Sequence, residues 1–248
     1  MTFHPSLEPR SNSVKMTAVA TRKRTDALTR ARIVDAAIAV LDADEEAGLT
    51  FRALSQALAT GPGAIYHHVS GKGELLDAAT EAVVTAALDL PGGGAAPREE
   101  VHALALGLFD AIDDHPWVAA QLAAQLARTS AHGASLRILE ALGRRVMTLG
   151  VPREHWFTTT TALLYYVLGA AGQNAAARES SGGDDRAAVL AREADAWESL
   201  PAEDFPFLRA VAAQMRDHDD REQFTAGVDL VLAGIAASGA RVSGGSAR

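Results

Sequence analysis

The chain has no cysteine, which excludes disulfides and thiolate metal sites and suits a reducing, cytoplasmic setting. Long apolar runs are also missing. The longest, Leu163 to Gly172, falls far short of the roughly 20 residues that span a bilayer, and Met1 to Arg24 lacks the apolar stretch of a signal peptide. No segment alternates apolar and polar residues with the period of a strand, and no internal repeat is visible. Catalytic signatures are absent as well: there is no HExxH, no GxSxG and no cluster of His, Asp and Glu. Gly71-Lys72-Gly73 has glycine where a phosphate loop needs Ser or Thr, and neither it nor Gly61-Pro62-Gly63 follows a strand. The adjacent His67 and His68 point to different helix faces and cannot chelate as an i, i+4 pair does. These absences argue against an enzyme, and no catalytic residue, metal or cofactor is assigned. Lysine is scarce, with 3 against 20 arginines, which together with abundant alanine fits a GC-rich bacterial genome.

The most informative absence is local. The whole chain carries a net charge of −8, yet Phe51 to Gly73 contains no Asp or Glu. That leaves an opening for a polyanion. Charge is segregated elsewhere too: residues 91–248 carry a net −6, whereas residues 10–32 hold seven basic groups against Asp26 alone. Residues 1–28 read as a flexible basic arm that either adds phosphate contacts or stays a solvated tail. Met16 is a second candidate for the translation start.

Two short helical patterns fill the acid-free stretch. Thr50 can cap the first through its hydroxyl, and Phe51, Leu54, Ala57 and Leu58 follow at the spacing of one buried face. Ala59-Thr60-Gly61 breaks the helix, with glycine expected to take the turn angles. Pro62 suits the first position of a second helix, over Pro62 to Val69. This helix buries Ile65 and Val69 and leaves Tyr66 and His67 projecting. A preceding helix over Thr29 to Leu41 supplies Ile33, Ala37, Val40 and Leu41, and a following one over Glu74 to Leu88 supplies Leu76, Ala79, Val83 and Ala87. The order is that of a helix-turn-helix module, whose second helix enters the DNA major groove.

Residues Thr29 to Val84, most densely Ala64-Ile65-Tyr66-His67-His68-Val69-Ser70-Gly71-Lys72 followed by Leu75-Leu76, resemble the amino-terminal DNA-binding domain of tetracycline-repressor-like (TetR family) transcriptional regulators. The family pattern runs Thr-Leu-Tyr, a variable residue, His or Tyr, Phe or Val, two small residues and Lys. The resemblance implies that Thr50 and Lys72 bind phosphate, that Tyr66 and His67 touch the sugar-phosphate backbone or base edges, and that Arg52 reaches a guanine. His68 is read as packing inside the module. Pro62, Gly63 and Ala64 stand where relatives often carry longer polar side chains, so base reading leans on Arg52, Tyr66, His67 and DNA shape.

Beyond the Pro91 to Pro97 linker everything reads as helix: about Arg98–Asp114, Pro116–Ala127, Ser135–Leu149, Pro152–Arg178, Asp185–Ser199, Phe207–Asp217 and Asp220–Ser238. The fold expected is all-α, with a helix-turn-helix domain over residues 29–90, a helical ligand-binding and dimerisation domain over 91–240, a loop near Ser180 to Asp185 and a frayed tail over 241–248. Two helices are apolar nearly all round, one around Leu163 to Gly172 and one with Phe224, Val228, Val231 and Ile235 on one face and Leu230, Ala233 and Ala237 on another. The resemblance implies that these two form a four-helix interface between two copies. Candidate ligand contacts are Trp117, Gln121, His155, Trp156, Thr159, Thr160, Tyr166 and Gln173, polar groups among apolar walls. The expectation is a cytoplasmic homodimer that binds an operator and is released by a small-molecule effector, most simply as a repressor. The alternative is a dimeric helical ligand-binding or adaptor protein that has lost DNA binding.

Overall fold

A computed structural model describes residues 28–89, 96–128, 133–182 and 185–244. Most of the basic arm, the linker core at 90–95, residues 129–132 and 183–184, and the tail from 245 lie outside the described residues. Within them every regular element is a helix. The first four are α1 (Arg30–Gly48), α2 (Phe51–Ala57), α3 (Pro62–Tyr66) and α4 (Lys72–Leu88); α5 (Pro97–Asp114), α6 (Trp117–Ala127) and α7 (Ala134–Thr148) follow. A short 3-10 turn, Arg153–His155, precedes α8 (Trp156–Ser180), and α9 (Arg186–Glu198), α10 (Pro206–Arg216) and α11 (Asp220–Gly244) complete the chain.

Local chemistry sets the helix starts. Thr29 and Thr50 cap α1 and α2, their hydroxyls accepting from the N–H groups of Arg32 at 3.2 Å and Ala53 at 3.1 Å. Pro62 occupies the first turn of α3, and Pro97 and Pro206 do the same in α5 and α10. The end of α2 departs from expectation. The left-handed residue is Ala59 (φ 49°), whereas Gly61 sits at φ −82° as the N-cap of α3. Thr60 N–H reaches Ser55 O at 3.0 Å and Ala59 N–H reaches Gln56 O at 3.2 Å. This paired closure holds a helix end even where its left-handed residue carries a Cβ. The third helix is also shorter than expected: it ends at Tyr66, and Val69 is buried from the turn that follows.

Ile33, Ala37, Leu41, Leu54, Ile65, Val69, Leu75 and Ala79 close the core of the first three helices against α4. Val40 and Leu58 are half-buried at its margin and Ala57 faces out. Helix α4 packs on α1 and also on α5, α6 and α7, so it belongs to both halves of the molecule. In the second half α8 lies at the centre, against α5, α6, α7 and α11, and buries Leu163, Leu164, Val167 and Ala171. Gly172 faces α6, where an added Cβ would make an ordinary contact with Ala119 at 3.4 Å. Helices α9 and α10 pack chiefly on each other around Leu190, Ala194 and Ala212, apart from the main core. The last helix runs on to Gly244, past the expected end at Ser238.

Candidate nucleic-acid interface and ligand domain

The eight candidate DNA contacts fall on one part of the molecule, from the start of α2 to the start of α4. Arg52, Pro62, Gly63 and His67 are exposed, Ala64 is half-buried, and Tyr66 is 55% exposed. Tyr66 stacks on Phe51, centroids 4.2 Å apart and planes within 13°, so its ring braces α3 against α2. A Cβ built on Gly61, Gly63, Gly71 or Gly73 would meet nothing within 4 Å. Packing therefore does not require those glycines, and their smallness leaves a low surface that a broad partner can approach closely. Thr50 is exposed at the cap with its hydroxyl oxygen already accepting. His68 is half-buried within the module.

Two groups that sequence reasoning did not single out hold this head together. Glu74 accepts from Ser70 N–H at 2.8 Å and Ser70 Oγ at 2.7 Å with one oxygen, and from Arg30 at 2.8 Å with the other. The Ser70 backbone bond, then the Arg30 and Ser70 side chains, pull its carboxyl from the ordinary 4.5 down to about 2. The spacing from Ser70 to Glu74 hinted at a local cap, but Arg30 is 44 residues away. The second group is Glu46. Lys72 Nζ donates to its backbone oxygen at 2.7 Å and stands 3.5 Å from its carboxylate.

The candidate ligand contacts divide among several places. Trp117 and Gln121 lie on the seam between the two halves: Trp117 Nε1 donates to Asp42 at 2.7 Å, beside His115 at 2.8 Å, and Gln121 donates to Glu46 at 3.0 Å. Farther along, Gln125 donates to Asp77 at 3.2 Å, and Arg137 pairs with Glu81. Trp156 Nε1 donates to Val151 O at 2.7 Å, Thr160 Oγ1 to Trp156 O at 2.7 Å and Tyr166 OH to Phe224 O at 3.0 Å. Burial raises the Tyr166 hydroxyl pKa. His155 and Gln173 are exposed and Thr159 is half-buried. A cavity of about 620 Å³ between α5, α8 and α11 is lined instead by Phe109, Asp110, Asp113, Asn174, Arg178 and His218, among others. Its arginines are taken up by cross-helix pairs, Arg178 with Asp113, Arg221 with Asp110 and Arg186 with Asp220.

The comparisons with known proteins agree with this architecture. Residues 90–238 match the family described as tetracyclin repressor-like, C-terminal domain. A solved structure described as the transcriptional regulator SCO7222, a TetR from Streptomyces coelicolor, is 56% identical, with a TM-score of 0.78 over 85% of this chain and 99% of that one. The chain belongs to the TetR family of transcriptional regulators. A more distant TetR-family structure, ActR of Streptomyces coelicolor in complex with actinorhodin, is 26% identical over 85% of this chain and 96% of that one, with a TM-score of 0.68. Among curated proteins, the HTH-type transcriptional repressor DrrR1 of Streptomyces coeruleorubidus is 36% identical over 94 residues, 37% of this chain and 34% of that protein. An HTH-type transcriptional regulator of Saccharopolyspora erythraea is 36% identical over 93 residues, 39% of its length. The chain therefore spans little more than a third of these two curated relatives. No described helix of this TetR-family regulator is long and apolar enough to cross a membrane.

Proposed function

We propose that the chain is a cytoplasmic, homodimeric repressor that leaves a two-fold operator when a small molecule occupies its second half. The observation that carries this reading is the segment from Phe51 to Gly73, which has no acidic residue of its own and presents Arg52, Tyr66 and His67 outward in a protein of net charge −8. Such a face favours phosphate, and Arg52 has the two-pronged donor geometry that suits guanine. Support for the dimer comes from two uncovered apolar stripes. On α8 these are Ala162, Tyr165, Gly169 and Ala176, and on α11 Ala226, Leu230, Ala233 and Ala237, all exposed. Leu230 is 75% exposed and Tyr165 66%, a large apolar area for one chain to leave in water. A closed two-fold pair would set two heads about 34–36 Å apart, one turn of DNA.

Effector binding is proposed within the second half, supported by the actinorhodin complex of the ActR relative. The pocket wall nearest the candidate set is that of Asn174, next to Gln173 on α8. An effector acts only through its differential affinity for two states of the dimer, and α4, packed on both halves, is the lever. Two measurements test the reading. Arg52→Ala and Lys72→Ala should each weaken duplex binding with helicity intact, Lys72→Ala reducing the salt slope by about 0.9. An effector titrated into the DNA complex should lower operator affinity, and unchanged affinity at saturation rejects effector control.

A further inference from the structure

The acidic run that ends α1 is strained, and it is held from both sides. Glu45 has φ 54° and ψ −162°, a conformation that suits glycine and costs a side-chain-bearing residue free energy unless its surroundings impose it. Gly48 closes the same turn: a Cβ there would lie 2.2 Å from Asp44 Cβ. At the tip, the backbone oxygen of Glu46 accepts from Lys72 Nζ at 2.7 Å, and one carboxylate oxygen accepts from Gln121 Nε2 of α6 at 3.0 Å. The other carboxylate oxygen stands 3.5 Å from Lys72 Nζ, outside the roughly 2.7–3.2 Å of a formed N–H···O bond. One turn back, Asp42 is occupied by His115 and Trp117.

We infer that Glu46 is a positioning residue for Lys72 and that Gln121 governs it. The inference rests on the DNA-binding reading proposed above. An ammonium has three donors; the Glu46 carbonyl takes one and aims the rest. The Glu46 carboxylate and a DNA phosphate are alternative anions for the same charge. While Gln121 retains one carboxylate oxygen, the other pairs with the ammonium at 3.5 Å without taking one of its hydrogen bonds, and two Lys72 donors stay open to phosphate. When α6 withdraws, the carboxylate closes on Lys72 and phosphate must displace it. The strained turn at Glu45 holds Glu46 between Lys72 and Gln121, so the contact of α6 with the head bears on a single phosphate contact.

Four proteins decide the matter: wild type, Gln121→Leu, Glu46→Gln and the double variant. Binding to a duplex selected from random sequence is measured across salt, and elution from immobilised heparin serves as a sequence-free polyanion probe. Gln121→Leu should weaken duplex binding three- to tenfold and reduce the salt slope by about 0.9, the loss of one phosphate contact. Glu46→Gln should bind at least as well as wild type, and the double variant should recover to that level. A purely structural Gln121 predicts instead equal loss in the single and double variants with a lower melting temperature. On heparin, Gln121→Leu should elute at lower salt than wild type and Glu46→Gln at equal or higher salt. Coincident or reversed elution, or no rescue in the double variant, overturns the inference. Failure to select any duplex, with the heparin order as expected, strikes the operator reading and leaves Glu46 control of Lys72 standing.

Discussion

At Glu74 one carboxylate ties the start of α1, the turn after α3 and the first turn of α4 together. Its folded carboxyl titrates at about 2 against an ordinary 4.5. Its contribution to stability is therefore complete above the unfolded value and is lost as pH falls from 4.5 towards 2. Glu74→Gln should melt lower than wild type at neutral pH, and the gap should close in acid; thermal unfolding over that range checks it. Ala59 offers a test of opposite sign. A left-handed residue with a Cβ costs about 1–2 kcal/mol, so Ala59→Gly should stabilise by up to about 1 kcal/mol, after the extra freedom of the unfolded chain is deducted. Chemical denaturation would show it. Gly63 sits in a helical turn with open space around it. Gly63→Ala should raise stability by about 0.5–1 kcal/mol while weakening duplex binding, if the backbone there closes on DNA. A gain in both would mean the low surface is incidental.

Among elements, the seam along α1 and α6 joins the two halves through side-chain hydrogen bonds. Trp117 is mostly buried and gives its indole N–H to Asp42. Trp117→Phe keeps the packing and removes the donor. A hydrogen bond to a charged group contributes about 1.5–3 kcal/mol, and because His115 still serves Asp42 the loss should lie at the low end, read by denaturant unfolding. A loss well above that would assign Trp117 to packing alone. Helix existence and the starts of α2 and α3 were legible in the chain because caps and prolines act within a few residues: Thr50 and Pro62 each mark a boundary with its own atoms. The seam was not legible. Trp117 and Gln121 meet partners 75 residues back, and helical periodicity says which face of a helix is apolar without saying which helix it meets. Both read from the sequence as pocket residues, and their bonds across the seam appear only in the structure. The end of α1 was equally silent: the apolar stripe closes at Leu41, yet the helix runs on through a break at Glu45 to Gly48, because the polar Asp42 to Glu46 stretch carries no apolar period to mark it.

For the whole molecule, the proposed assembly rests on the exposed stripes of α8 and α11. Leu230→Glu or Tyr165→Glu places a charge where a two-fold pair would bury it, and sedimentation should report monomers with unchanged helicity. A persistent dimer would move the interface elsewhere. The apolar, all-round character of these helices was visible in the chain, and the structure adds which residues stay uncovered in one copy. The polar pocket set was less legible because hydroxyls such as those of Thr160 and Tyr166 are satisfied by backbone carbonyls, a use that composition cannot distinguish from ligand binding. The central claim is that two helix-turn-helix heads of one dimer read DNA together. Selection of bound duplexes from a random pool, at low salt and without effector, tests it most directly. The account predicts enrichment of a two-fold symmetric site with half-sites one helical turn apart, lost with Arg52→Ala; an unenriched pool, or an asymmetric site indifferent to Arg52, would contradict it.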